Sequence, residues 1–445
     1  MLALALRSVR RRPGRLLATL LSAVLGSTIT MTFSSLHDTA AADGVDDVSA
    51  DSLVTAASVV GGYGLLLVFC AVASTLTVNV RQRETEMATL RSTGATPAQI
   101  RRLVVGEAIA VALAGTLVAI APAVLGGRAL LDAFRRNGQV ADGVQHVFGP
   151  VALATGFGVT LLASTGAALL AVRRASRTAG GRARRRGARR VLACLALAAG
   201  ASSAGATLAM ESGRPESMAP AVYGAILLGV GLALLAPAVL RWVASRLAGP
   251  VAAPGRASGF LAAAHLRRRA DDLSGVVTAL VLFVAMATAT LYTQSIESDA
   301  ISASGLARTV DDKNMQTLNL IVVGIMAVFA CIMLVNSLYA ATSHRYEEFG
   351  RQRLTGATPR QVLAVVGTEG AALAVTGVVL GTVAALAAVV PFSVMRADTL
   401  WADGQGPGIW LGITAIALVA TVVTPLVTAR RGLRTPAVDA VSAAV

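Results

Sequence analysis

Ten stretches of the chain carry almost no charge and are long enough to cross a bilayer: 16–36, 53–80, 103–127, 147–172, 191–210, 219–240, 273–293, 317–342, 362–392 and 408–428. A membrane helix needs roughly 20 mainly apolar residues, and each stretch meets that within a few residues at either end. They are rich in Ala, Leu, Val and Gly, without the alternation of apolar and polar positions that marks barrel strands. In hydrocarbon every backbone N–H and C=O needs a partner within its own segment, which leaves the α-helix as the spanning form. The pattern predicts an all-α polytopic membrane protein with ten transmembrane helices.

Composition agrees: 55% of the 445 residues are hydrophobic and 14% charged, where soluble domains average about 25% charged. A net charge of +15 could point to nucleic acid, but its placement argues otherwise. With the N-terminus inside, the inner segments hold 32 of the 39 Lys+Arg and only nine of the 24 Asp+Glu. That is the asymmetry of the positive-inside rule. It predicts cytoplasmic termini and removes the motive for nucleic-acid binding. One Lys against 38 Arg points to a GC-rich bacterial genome, hence to the plasma membrane.

The nine arginines of 173–190 stand without an acidic residue among them. They read as a topology determinant and linker, although polybasic segments beside a membrane also bind anionic headgroups of membrane lipids. Cys70, Cys194 and Cys331 lie within spans and read as small core residues rather than a disulfide framework.

The chain also resembles itself. Sliding it by 262 residues lands Arg83, Glu86, Arg91, Thr93, Gly94, Ala95, Thr96, Pro97, Gln99, Glu107 and Gly115 on Arg345, Glu348, Arg353, Thr355, Gly356, Ala357, Thr358, Pro359, Gln361, Glu369 and Gly377. A slide of 257 places Arg10, Arg11 and Arg12 on Arg267, Arg268 and Arg269, and Arg173 and Arg174 on Arg430 and Arg431. The expected organisation is a four-helix repeat over 1–178, a basic linker with two extra helices over 179–261, and a second four-helix repeat over 262–445. Both copies begin inside, so they are parallel repeats about an axis along the membrane normal. An even number of linker spans preserves that orientation.

Between the second and third spans the chain specifies a turn. Gly94 suits the left-handed residue that ends a helix. Thr96 is a good N-cap, Pro97 suits the first helical turn, and Gln99 stands three after the cap. Gly356, Thr358, Pro359 and Gln361 repeat these choices between the eighth and ninth spans. Lipid-facing helices tolerate drift among apolar residues, whereas a surface matched to a partner does not, so the retained turn reads as a docking element.

The stretch 83–97 (RETEMATLRSTGATP), its weaker copy 345–359 (RYEEFGRQRLTGATP) and the basic start 6–15 (LRSVRRRPGR) resemble the FtsX-like (MacB/LolCE-type) permease family of ABC transporters. The arrangement of four, two and four helices is similar to its BceB-type branch. The resemblance implies that each inner loop is a coupling helix seated in a separate ABC ATPase subunit, with 94–102 and 356–362 each taking one. Glu86, Arg91, Gly94, Ala95, Thr96, Pro97 and Gln99, with Glu348, Arg353, Gly356, Ala357, Thr358, Pro359 and Gln361, are the expected coupling residues. Two ATPase copies per chain follow, with ATP and Mg held by the partner. The chain departs from the family in its outer loops 37–52 and 294–316, too short for a large external domain.

Other chemistry is poorly supplied. A P-loop needs Lys after a Gly-rich turn, and the sole lysine, Lys313, follows Asp311 and Asp312 in an outer loop. No catalytic, cofactor-binding or metal-binding residue is expected in this chain. The four histidines (His37, His146, His265, His344) read as scattered over loops. Glu107 and Glu369 are the possible intramembrane polar groups; one reading pairs them with a nearby arginine such as Arg101 or Arg102. Export or extraction of an amphiphilic or hydrophobic substrate (peptide, antibiotic or lipid) is the expected function. The alternative is an FtsX-type mechanotransmitter that regulates a cell-envelope enzyme.

Overall fold

A computed structural model describes residues 13–58, 61, 89, 92–136, 138–175, 181–210, 218–247, 252–271, 273–303, 324, 338, 345–400 and 406–436. Ten helices carry labels here: α1 (Pro13–Ala40), α2 (Pro97–Arg136), α3 (Pro150–Ala175), α4 (Gly181–Ala206), α5 (Met218–Leu247), α6 (Ala252–Arg269), α7 (Ser274–Ala303), α8 (Tyr346–Leu354), α9 (Pro359–Ala397) and α10 (Gly408–Gly432). None of the described residues lies in a strand. Seven helices among them are long and apolar enough to cross a membrane. The expected second and eighth spans, 53–80 and 317–342, fall almost wholly outside the described residues.

The chain divides into two compact units, 1–181 with 298–329 and 182–297 with 330–445. In the first, α1 packs against both α2 and α3, and α2 against α3. Met31, Phe33, Leu36, Leu53 and Leu131 are fully buried there. Hydroxyls join the three helices: Ser27 Oγ lies 3.0 Å from Thr116 Oγ1 and 2.8 Å from Thr160 Oγ1. Such bonds hold helices together where lipid provides no hydrophobic drive.

Asp38, near the end of α1, accepts from the backbone N–H of Val151 at 3.0 Å and of Ala152 at 2.8 Å, and so caps α3 from another helix. Anionic side chains suit a helix N-terminus. Asp38→Ala is expected to cost about 2 kcal/mol, at the upper end of capping effects because two orphan N–H groups lose their acceptor. Thermal unfolding of the detergent-solubilised chain checks this, and an unchanged melting temperature would refute it.

In the second unit α9 is central, with α5, α6, α8 and α10 packed against it. A Cβ added at Gly377 of α9 would meet the Leu280 side chain of α7, its Cβ at 2.9 Å. In the first unit a Cβ at Gly115 of α2 would lie 2.7 Å from Ala23 Cβ of α1. Gly115 maps to Gly377 by the slide of 262, and Ala23 to Leu280 by the slide of 257. The same close crossing therefore occurs in each unit at matched sequence positions.

Three details differ from the sequence reading. Helix continues through Ala40 and resumes at 47, so the loop expected over 37–52 contracts to 41–46. Helix α6 ends at Arg269, before α7 starts at Ser274, so the basic approach to the second repeat is a helix of its own. Cys194 is exposed on α4 rather than in the core.

Candidate functional site

The turn between α8 and α9 is closed at both ends by local hydrogen bonds. Gly356 has φ of 97°. Its N–H donates to Arg353 O at 3.0 Å, and the N–H of Ala357 donates to Gln352 O at 3.0 Å. These two bonds with a left-handed glycine make a Schellman motif. Ala357 packs on the buried cluster of Phe349, Val362, Val366 and Ala429. Thr358 then starts α9 with a capping box: its N–H donates to Gln361 Oε1 at 2.8 Å, its Oγ1 accepts from Gln361 N at 3.3 Å, and Pro359 follows as the first helical residue.

The turn before α2 shares the left-handed glycine and the capping box. Gly94 has φ of 94°. The N–H of Thr96 donates to Gln99 Oε1 at 2.9 Å, Thr96 Oγ1 accepts from Gln99 N at 3.3 Å, and α2 begins at Pro97. A Cβ at Gly94 or Gly356 would meet nothing within 4 Å, so these glycines answer to backbone conformation alone. Gly94, Thr96, Gln99, Gly356, Thr358, Pro359 and Gln361 are exposed, with Ala95 and Ala357 half-buried; beside them Leu354 is 57% exposed. Glu86 and Arg91 lie outside the described residues.

Beneath the second turn lies an ion cluster drawn from three helices. Arg345, immediately before α8, is 6% exposed, and Glu369 of α9 is 4% exposed. The Arg345 guanidinium donates through Nε to Glu348 Oε2 at 2.9 Å, through Nη1 to Glu369 Oε2, and through Nη2 to Glu369 Oε1 at 3.2 Å. Its Cζ stands 5.4 Å from the centre of the Phe349 ring. From α6, Arg269 donates to Glu348 Oε2 at 3.0 Å, and His265 Nδ1 lies 2.9 Å from Glu369 Oε1. His265 Nε2 is 3.6 Å from Glu348 Oε1. Burial pushes the Glu348 carboxyl up, but Arg345, Arg269 and His265 outweigh it and hold the group below its ordinary value.

A second anchor comes from Arg353 at the C-terminal end of α8. Its Nη1 donates to Thr435 O at 2.8 Å and to Leu433 O at 3.3 Å, just beyond α10. Helix α8 is thus tied to α6 and α9 at one end and to the segment following α10 at the other. In water an Arg–carboxylate pair contributes little; here guanidinium and carboxylate are desolvated together, and loss of either would strand a buried charge.

Two of the expected site residues, Glu348 and Glu369, are brought together by this cluster, whereas Arg353 stands apart at the other end of α8. Glu369 pairs with Arg345 and His265, from outside its own helix. Glu107 is buried on α2, whereas Arg101 and Arg102 are exposed. The sequence reading missed His265, Arg269 and Arg345 as site residues, and His265 lies on a helix rather than in a loop. A signal for Arg345 existed: the slide of 262 pairs Arg83, Glu86 and Glu107 with Arg345, Glu348 and Glu369, a charge triplet retained together. His265 has no counterpart among those pairs.

A family model described as FtsX-like permease C-terminal matches residues 58–179 and 320–437, more than half of the chain. No curated protein matches the chain significantly.

Proposed function

This chain belongs to the FtsX-like permease family, and on that premise we propose that it is the membrane subunit of an ABC-type exporter driven by separate ATPase subunits. Its basic end and both termini face the cytoplasm of a bacterial cell, following the distribution of Lys and Arg. The chain consists of two parallel four-helix repeats joined by two linker helices. The segments 94–102 and 356–362 each seat one ATPase, so one chain recruits two, and ATP with Mg binds in the partner. The cargo is amphiphilic or hydrophobic, because few polar side chains in the spans could solvate a hydrophilic solute.

The observation that carries this reading is the pair of exposed turns, each with a left-handed glycine and a capping box. With both ends bonded, the turn before α9 has little freedom to absorb a push. Helices α2 and α9, with 40 and 39 residues, are about 60 Å long at 1.5 Å per residue. That exceeds the roughly 40–45 Å of a bilayer with its headgroups. Each helix reaches from a turn at the basic end to the opposite face. ATP binding that draws two ATPases together would move both turns, and each would carry its long helix with it. The ion cluster and the Arg353 anchor make α6 and the segment after α10 follow α8.

The test is co-expression and reconstitution of this chain with candidate ABC ATPases from the same cell. Two ATPase subunits per chain by native mass spectrometry, and ATPase activity that rises with a transported amphiphile, are expected. One ATPase per chain would refute the two-turn count. ATPase activity indifferent to every amphiphile, but altered by an envelope hydrolase, would favour the mechanotransmitter.

A further inference from the structure

We infer that the basic ends of α4 and α5 form a surface for the headgroups of anionic phospholipid. Asp271, in the turn between α6 and α7, accepts from Arg189 of α4 at 3.2 Å and from Arg241 of α5 at 3.0 Å. Arg189, Arg190, Arg241 and Arg246 at these two helix ends outnumber Asp271 and its sequence neighbour Asp272 by four to two, so the local charge is positive. Burial pushes the Asp271 carboxyl up, but Arg241 and Arg189 outweigh it and keep it below its ordinary value, and each of its oxygens accepts from one arginine. Arg190 and Arg246 pair with no carboxylate among the described residues.

Depth is marked by Trp242, which is 60% exposed beside Arg241. The Arg246 guanidinium stands 5.6 Å from the centre of its ring. Exposed tryptophan on a spanning helix belongs at the headgroup level, where its ring is apolar and its N–H is wet. Arg241 and Arg246 flank this marker on α5, and Arg189 meets Arg241 at Asp271, so all three stand at the level of lipid phosphates. Helix α4 buries only 22% of its apolar span within the protein, leaving its flank open to lipid. Phosphate diesters match this demand, because each supplies one negative charge and acceptor oxygens for guanidinium donors. This gives the linker helices a partner besides their topological role. Only the choice of leaflet rests on the topology proposed above; the preference for an anionic headgroup does not.

The full chain in neutral detergent can be titrated with phosphatidylglycerol, with phosphatidylcholine of the same acyl chains, and with inorganic phosphate. Melting temperature and lipid retained in native mass spectra are the readouts. Phosphatidylglycerol is expected to raise the melting temperature and to be retained preferentially, with no effect of phosphate. Each cation near an anionic surface contributes about fivefold in affinity. The triple variant Arg189→Gln/Arg190→Gln/Arg241→Gln should therefore lose at least about tenfold in phosphatidylglycerol affinity and keep its phosphatidylcholine affinity. Lysine at the same three positions should restore most of it. Asp271→Asn removes no cation and should tighten phosphatidylglycerol binding, so the idea stays testable even if the triple variant fails to fold. Equal affinity of the wild type for the two lipids overturns the inference. So does unchanged or weakened phosphatidylglycerol binding in Asp271→Asn. Stabilisation by inorganic phosphate equal to that by phosphatidylglycerol would mean a small-anion site, which also overturns it.

Discussion

Arg345→Met should destabilise the protein by about 3–5 kcal/mol, the cost expected when one partner of a buried ion pair is removed. The side chain is 6% exposed and its guanidinium bonds to both Glu348 and Glu369. Methionine keeps much of the packing on Phe349 but leaves Glu369, 4% exposed, with His265 as its remaining bonded partner in the cluster. Adding Glu369→Leu should recover most of the loss, because two apolar side chains need no mutual neutralisation. Thermal or denaturant unfolding of the solubilised wild type, of Arg345→Met, of Glu369→Leu and of the double variant supplies the four corners of this cycle. A double variant destabilised by the sum of the two single variants would show that the pair is not coupled. Acid acts in the same direction. The Glu348 carboxyl is held below its ordinary value, so its contribution is complete at neutral pH, above the unfolded-state value, and is lost as pH falls through the folded-state value.

The second large effect is expected at the two turns. Replacing Gly94 and Gly356 together with Val should uncouple the partner ATPase while leaving membrane insertion intact. Both glycines hold φ near +95°, at 94° and 97°. A left-handed conformation costs an L-residue roughly 1–2 kcal/mol, and β-branching adds crowding at χ1. The space around each added Cβ is open, so the strain is torsional and is relieved by opening the turn. An opened turn loses the bonds from Gly356 N and Ala357 N to α8 and no longer presents a rigid element. Asparagine, which tolerates this conformation, should be far milder at both positions. Normal ATPase co-purification together with normal transport in the double valine variant would remove the docking assignment.

How far the sequence could be read depends on the range over which each interaction acts. Thr96 with Gln99, and Thr358 with Gln361, are three residues apart, so side-chain type and spacing suffice to specify both boxes. Gly94 and Gly356 are legible for the same reason, since a helix stop is written within one turn. The ion cluster was half legible. Arg345, Glu348 and Glu369 recur at matched spacing in Arg83, Glu86 and Glu107, which marks them as a group without saying what they touch. His265 bonds Glu369 across 104 residues, and no local pattern announces that.

Chain chemistry alone determined that this is a helical membrane protein, because uncharged stretches of this length cannot leave backbone groups unbonded in hydrocarbon. It also determined the two capped turns, which close through neighbours in sequence. Tertiary structure decided which charges meet. Asp38 caps α3 from 113 residues away, Arg189 and Arg241 converge on Asp271, and Gly115 and Gly377 face Ala23 and Leu280. Each of those contacts depends on which helices become neighbours, and runs of interchangeable Ala, Leu and Val do not encode that choice locally.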